Sequence, residues 1–164
     1  MDYYDSISQG YDELYGEEQL RKAELIAKHM KPRSSDYLLD VGCGSASYFP
    51  LFSCIRIGVD PSLELLKKAS EADEGSFIQA AAENLPFKDG SFDYVISITA
   101  IHNFTSPKKC LMEIRRVAKN LVILSVLKQA RKFEEISKLI RELFTIKNLI
   151  LEEKDLIFVL HSKI

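Results

Sequence analysis

The chain has 164 residues, of which 46% are hydrophobic and 28% charged, and a formal net charge of −2. These are the proportions of a soluble globular protein large enough to bury a core, and they exclude a general affinity for polyanions. No apolar run approaches the ~18 residues that a membrane span needs. Cys43, Cys54 and Cys110 are odd in number and lack metal-site spacing. They read as reduced thiols of a cytoplasmic protein. The acidic, aromatic N-terminus is neither a signal nor a transit peptide, and three scattered histidines offer no metal site.

Residues 1–16 are rich in Tyr, Asp and Ser. Aromatics bury large areas and have to be placed against something, so a segment packed on the body of the protein is expected. Glu17 to Met30 reads as an amphipathic helix with Leu20, Ala23, Ile26, Ala27 and Met30 on one stripe, ended by Pro32. Leu38, Leu39 and Val41 form a short strand that runs straight into Gly42-Cys43-Gly44. Pro50 limits the next crossover to one or two turns, Ala46 to Phe49, whose free N–H groups would face an anionic ligand group. A second strand, Ile55–Val59, ends in Asp60. Pro61 suits a first helical position, and Leu63, Leu66 and Ala69 line the buried side of a helix to Glu71.

Phe77–Ala80 and Tyr94–Ile98 are the third and fourth strands. Ser106 caps a helix that begins at Pro107 and ends at Lys119-Asn120 with a left-handed turn. Leu121–Val126 is a fifth strand, Lys132–Phe144 an amphipathic helix, and Ile146–Leu151 and Leu156–Leu160 a closing hairpin. The expected fold is α/β: a Rossmann-like, seven-stranded, mostly parallel sheet with helices on both faces and a C-terminal antiparallel hairpin. One domain spans 1–164, with a lid and helix over 1–35 and the core over 36–164.

Strand, Gly-x-Gly, crossover, strand, acid is the nucleotide-binding half of a doubly wound fold, with Asp60 placed for ribose hydroxyls. A dinucleotide site wants a third glycine where this chain has Ser47, and has no use for Asp40 beside a pyrophosphate. Both count against a nicotinamide-dependent oxidoreductase. An anion there suits a ligand head that carries positive charge, as S-adenosylmethionine (SAM) does. Asp40-Val41-Gly42-Cys43-Gly44 resembles motif I of the class I SAM-dependent methyltransferases, with Ala46 where their last glycine stands. Ala82-Glu83-Asn84-Leu85-Pro86-Phe87 and Ser91-Phe92-Asp93 resemble the family's next landmark. There the acid that meets the adenine amino group is replaced by Ala81. Tyr4-Asp5 and Gly10-Tyr11-Asp12 resemble the N-terminal segment of ubiquinone/menaquinone-type members.

The resemblance implies SAM as cofactor and S-adenosylhomocysteine as product. It places Asp40, Gly42, Cys43 and Gly44 at the amino-acid end, Asp60 and Pro61 at the ribose, and Ala82, Glu83 and Leu85 around the adenine. Tyr11 is a candidate lid residue near the methyl. The end of the fourth strand, Thr99, Ala100, Ile101 and His102, floors the pocket where methyl and acceptor meet, and His102 can act as general base. The stretch lacks the Asn/Asp-Pro-Pro-Tyr/Phe signature, which counts against adenine-N6 and glutamine-amide acceptors. The expected acceptor is a small molecule or tRNA. The alternative is a non-catalytic SAM-fold subunit that positions a partner. Residues 1–105 hold 9 Lys+Arg against 17 Asp+Glu, and residues 106–164 hold 13 against 7. Arg115-Arg116 in the basic part is a candidate RNA contact. With no long insertion, substrate recognition would fall to the N-terminal segment, short loops or another chain, a partner subunit or a homodimer.

Overall fold

The computed structural model describes the backbone of residues 3–162 and the side chains of residues 14–162. Helix α1 spans Tyr3–Ala27. Strand β1 (Tyr37–Val41), a 3-10 turn (Phe49–Leu51), β2 (Ile55–Asp60), α2 (Leu63–Ala72) and β3 (Ser76–Gln79) follow. Then come β4 (Phe92–Ile98), a second 3-10 turn (Ile101–Asn103), α3 (Pro107–Val117), β5 (Ala118–Leu127), α4 (Phe133–Leu143), β6 (Phe144–Leu151) and β7 (Asp155–Ser162).

The sheet order is β3-β2-β1-β4-β5-β7-β6. Strands β1 to β5 pair in parallel, and β7 runs antiparallel to both β5 and β6. Six strands therefore share one direction and the closing hairpin supplies the reversed one. The apolar β-branched runs explain the central strands, which are covered on both faces. On one face α3 contributes Leu111, Ile114 and Val117, and α4 contributes Ile136 and Ile140, against Leu39, Val95 and Leu124. On the other, Ala23 and Ile26 of α1 and Leu66 and Ala69 of α2 pack against Leu38, Ile96 and Ile123. Each fully buried aliphatic side chain contributes about 1.5–3 kcal/mol.

Several boundaries differ from expectation. The N-terminal segment and the first helix are one continuous element, since no proline interrupts it before Pro32 and a helical glycine costs only about 1 kcal/mol. Its buried face is turned from the expected stripe. Leu20 is exposed, while Gln19, Lys22, Ala23, Ile26 and Met30 are buried. The crossover after β1 is not an α-turn at Ala46–Phe49 but a 3-10 turn with Pro50 in its first positions, where a missing N–H is harmless. Helix α2 starts at Leu63 rather than Pro61. Its cap is Ser62, whose Oγ accepts from Leu65 N, and Leu63 is exposed. Helix α3 begins as expected, with Ser106 Oγ accepting from Lys109 N. It ends at Val117 without a left-handed Asn120, because Ala118 is already extended and paired with Phe92 of β4.

Candidate functional site

In an open α/β sheet a ligand sits beyond the carboxyl ends of the strands where the order reverses. Here that point lies between β1 and β4, and the loops after both strands meet there. Gly42 has φ +79°, and a Cβ on it would lie 2.7 Å from Ala100 Cβ and 3.0 Å from Phe104 Cζ. Only glycine lets the post-β1 loop close on the post-β4 loop. Gly44 also has positive φ (+55°), but a Cβ there would meet nothing nearer than Leu65 at 3.9 Å. Its outer side is open.

Among the described residues two that are not glycine also hold the left-handed conformation, Ala46 (φ 50°) and Thr99 (φ 51°). At position 46 alanine stands in the backbone geometry that glycine relieves, at a cost of about 1–2 kcal/mol. The replacement is less innocuous than the sequence suggests. A β-branched residue with positive φ is strained. Thr99 is held there by Ser125 O, which accepts its N–H at 3.1 Å, and by a buried polar cluster.

Asp40 is fully buried at the end of β1. Tyr48 Oη donates to its Oδ2 at 2.7 Å, while Oδ1 has no partner. Burial, opposed by the Tyr48 bond and reinforced by Asp60, raises its pKa to about 7. A buried carboxylate oxygen without a donor is costly and fits a ligand that brings an ammonium. The predicted cofactor therefore suits the residues present.

Most loop N–H groups are already engaged. Gly42 N and Cys43 N both donate to Val59 O at 2.7 and 3.1 Å, and Ala46 N donates to Cys43 O at 2.9 Å. Gly44 N donates to Asp60 Oδ2 at 2.9 Å. The expected helix start is replaced by a 3-10 turn, and the N–H groups of Ser45, Ser47 and Tyr48 are not among those engaged. Cys43 contributes backbone only. Its side chain is buried beside Gly58, where an added Cβ would lie 2.6 Å from the sulfur, and burial pushes the thiol pKa up.

Asp60 is nearly buried at the end of β2. Its Oδ1 accepts from Ser62 N at 2.9 Å while Oδ2 holds Gly44, so this acid ties the two loops on either side of the ribose position. Pro61 lies outside α2, and its carbonyl accepts from Gln79 Nε2 at 3.0 Å. Ala82 and Leu85 are buried against the α3 face of the sheet. Leu85 N donates to Glu113 Oε2 at 2.7 Å, and Leu85 O accepts from Arg116 Nη2 at 3.0 Å. Glu83 Oε1 accepts from Ser106 N at 3.0 Å, which joins the two loops that would flank an adenine.

The largest surprise is Lys22, buried completely in α1. Its Nζ donates to Glu18 Oε1 at 2.6 Å and Thr99 Oγ1 at 3.0 Å and lies 3.1 Å from Asp155 Oδ1. Thr99 Oγ1 donates to Asp155 Oδ2 at 2.7 Å, and Ser125 Oγ bonds the same oxygen. Lys154 Nζ reaches Glu18 Oε2 at 2.6 Å. This network ties α1 to the floor of the crevice. Its signal in the sequence is a pair of polar residues, Gln19 and Lys22, in phase with Ala23 and Ile26.

His102 sits half-buried in the second 3-10 turn beside Thr99, Ala100 and Ile101, with Nδ1 buried and unpartnered. Burial lowers its pKa, opposed by Asp155 and assisted by Lys22, which keeps the imidazole neutral and able to accept a proton. The side chain of Tyr11 lies outside the described residues. Arg116 does not behave as a free RNA contact. It bonds Glu113, Asp89, Phe87 O and Leu85 O, and the carboxylates hold its pKa up. Among the described residues no group of histidine, cysteine or acidic side chains could hold a metal ion. No helix among them is long and apolar enough to cross a membrane.

Comparison with known proteins meets this geometry. The methyltransferase domain family matches residues 39–126. An uncharacterized protein of Methanocaldococcus jannaschii is 36% identical over 121 residues, 73% of this chain and 47% of that one. The tRNA (carboxymethyluridine(34)-5-O)-methyltransferase of Arabidopsis thaliana is 37% identical over 90 residues, 52% of this chain and 22% of that one. The chain spans about half the length of the first curated relatives it matches, between 41% and 57%. In fold it resembles the putative methyltransferase of Haloferax volcanii solved in complex with the Trm112 methyltransferase activator. The TM-score is 0.79 at 19% identity, covering 100% of this chain and 99% of that one.

Proposed function

Because the chain belongs to the family of SAM-dependent methyltransferase domains, we propose that it transfers the cofactor's methyl group to a nucleotide of an RNA, with S-adenosylhomocysteine as product. The observation that carries the reading is the unpartnered Asp40 Oδ1, buried beside a glycine loop at the β1/β4 switch point. Bound SAM supplies an electrophilic methyl on a sulfonium.

The chain's own residues bind, orient and exclude water, which is where rate comes from when the leaving group is good. Asp40 receives the ammonium. Gly42 lets the two loops close on each other, and Gly44, open on its outer side, admits the ligand's backbone-close approach. Asp60, braced by Gly44 and Ser62, accepts from ribose hydroxyls. Ala82 and Leu85 bound the adenine, and the Glu83–Ser106 bond keeps its two walls together. Thr99, Ala100 and Ile101 form the floor under the methyl, Tyr11 belongs to the covering segment, and His102 takes the acceptor's proton where it has one.

Two features support an RNA acceptor. Relatives with tRNA methyltransferase names match this chain. Exposed basic residues stand on the loops at the carboxyl edge: Lys108 and Lys109 at the start of α3, Lys128 and Arg131 after β5. The similarity to a methyltransferase solved with its activator supports a partner subunit that completes or stabilises the enzyme.

The test has two stages. Calorimetric titration with S-adenosylhomocysteine should show micromolar binding that falls at least tenfold in Asp40→Asn. Labelled SAM should then mark tRNA in preference to a small-molecule extract, with and without a Trm112-type subunit. No binding by wild type would sink the cofactor assignment, and label in the small-molecule fraction alone would sink the RNA acceptor.

A further inference from the structure

Among the described residues Gln19 is the buried polar side chain that leaves two polar atoms unpartnered, and neither the fold nor the proposed chemistry explains it. It is 5% exposed, and neither Oε1 nor Nε2 has a hydrogen-bond partner. Native proteins rarely bury both ends of a carboxamide unsatisfied, since each end carries a desolvation cost of about 1–3 kcal/mol. A buried glutamine of this kind wants a partner that both donates and accepts.

Its neighbours on α1 say where it points. Lys22, three residues on, touches Thr99 at the end of β4. Tyr15, four residues back, lies near enough to Tyr48 to act on its hydroxyl electrostatically, and Tyr48 bonds Asp40 at the end of β1. Gln19 is therefore framed by the ends of β1 and β4. Successive helical residues step round by about 100°, so Glu18 and Gln19 fall on opposite flanks of Lys22. Glu18 faces the β6–β7 turn, where it holds Lys154. Gln19 then faces the other way, toward β1 and the Gly42–Gly44 loop. It also lies one turn beyond Lys22, outside the strand ends, where a ligand at the switch point would lie.

The unmet needs at this place are complementary. Asp40 Oδ1 calls for a donor and can receive an ammonium, but it offers nothing to a carboxylate. The N–H groups of Gly42, Cys43, Gly44 and Ala46 are bonded within the protein, which leaves Ser45 N as the one loop donor between Gly42 and Ala46 not engaged. The two oxygens of an α-amino-acid carboxylate seated here call for more donors than that single N–H, and the Gln19 carboxamide brings one together with an acceptor. We propose that Gln19 is a cofactor-binding residue: its Nε2 donates to the α-carboxylate of the bound cofactor, and its Oε1 accepts from the ammonium that also meets Asp40. The assignment rests on the SAM reading above and adds to it a residue of α1 that closes the amino-acid end of the site from outside the strand ends.

The experiment compares wild type with Gln19→Leu by melting temperature without ligand and by calorimetry with two probes. One probe is S-adenosylhomocysteine. The other is 5′-methylthioadenosine, which lacks the amino-acid end. The expected result is about tenfold or greater weakening of S-adenosylhomocysteine, unchanged binding of 5′-methylthioadenosine, and a melting temperature equal to or above wild type, because leucine removes two unsatisfied polar atoms. Should Gln19→Leu not fold, Gln19→Met, unbranched and closer in length, is read in the same way. Equal weakening of both probes, an unchanged affinity for S-adenosylhomocysteine, or a melting temperature that falls in both variants would overturn the assignment while leaving the cofactor reading intact. Wild-type protein that binds neither probe would overturn both.

Discussion

Replacing Asp40 by asparagine tests the electrostatic design of the site most directly. In the folded chain the carboxyl pKa stands at about 7, against an ordinary value of 3.8. That gap of roughly three units corresponds to about 4 kcal/mol of differential protonation free energy. An acid whose folded pKa is raised binds its proton preferentially in the native state. The ligand-free protein therefore loses stability as pH rises from about 4 to about 7, and it keeps the deficit above that. Asparagine retains a carbonyl for Tyr48 and cannot ionise, so it escapes this term. Asp40→Asn should be more stable than wild type by about 2–4 kcal/mol at pH 8, roughly 5–15 °C in melting temperature for a chain of this size. The advantage should shrink by about 2–3 kcal/mol on going to pH 5. The assay is urea denaturation of both proteins without ligand from pH 5 to pH 8.5. Stability curves that run parallel over this range would refute the reasoning, because they would show that Asp40 does not titrate there. The same substitution should weaken S-adenosylhomocysteine binding, so stability and binding move in opposite directions.

Gly42→Ala should cost at least about 2 kcal/mol by urea denaturation, from positive-φ strain plus the 2.7 Å approach to Ala100; a loss under about 1 kcal/mol would show that the two loops do not close as described. Lys22→Met leaves Asp155 buried with its cation gone and should destabilise by about 3–5 kcal/mol, whereas an unchanged melting curve would mean that the pair is not formed. Lys108→Glu with Lys109→Glu should weaken RNA binding and reduce the steepness of its salt dependence without altering the melting temperature. Arg116→Glu should lower the melting temperature instead, since it breaks the bonds to Glu113, Phe87 and Leu85. His102→Asn should slow methyl transfer by about 10²-fold or more with S-adenosylhomocysteine affinity intact; in wild type the acid limb of the rate profile should fall below the usual histidine range, because burial lowers the imidazole pKa.

The strands and their succession were legible because apolar β-branched runs bounded by glycine, proline and acids have few other uses. The glycine loop and the acids Asp40 and Asp60 were legible because close approach and charge leave residue-level signatures. Helix boundaries were less so. The end of α3 depends on Ala118 pairing with Phe92, a contact remote in sequence. The cap of α2 is Ser62, because the two oxygens of Asp60 are taken by Gly44 N and Ser62 N. Arg116 read as a candidate RNA contact, and only the packing of α3 against the Leu85–Asp89 loop showed it to be an internal brace.

What the chain's own residues determined is the order of elements, the two-faced sheet, and the character of the ligand head, since these follow from local periodicity and from the types of side chain at a turn. What only the tertiary structure decided is which groups are left without partners. Lys22 meets Thr99 across 77 positions and Thr99 meets Asp155 across 56, and no local pattern carries those pairings. Whether a buried polar atom is satisfied is a property of everything folded around it. The orphaned atoms of Asp40 and Gln19, on which the proposed placing of the cofactor's amino-acid end rests, therefore become visible only once the chain is closed.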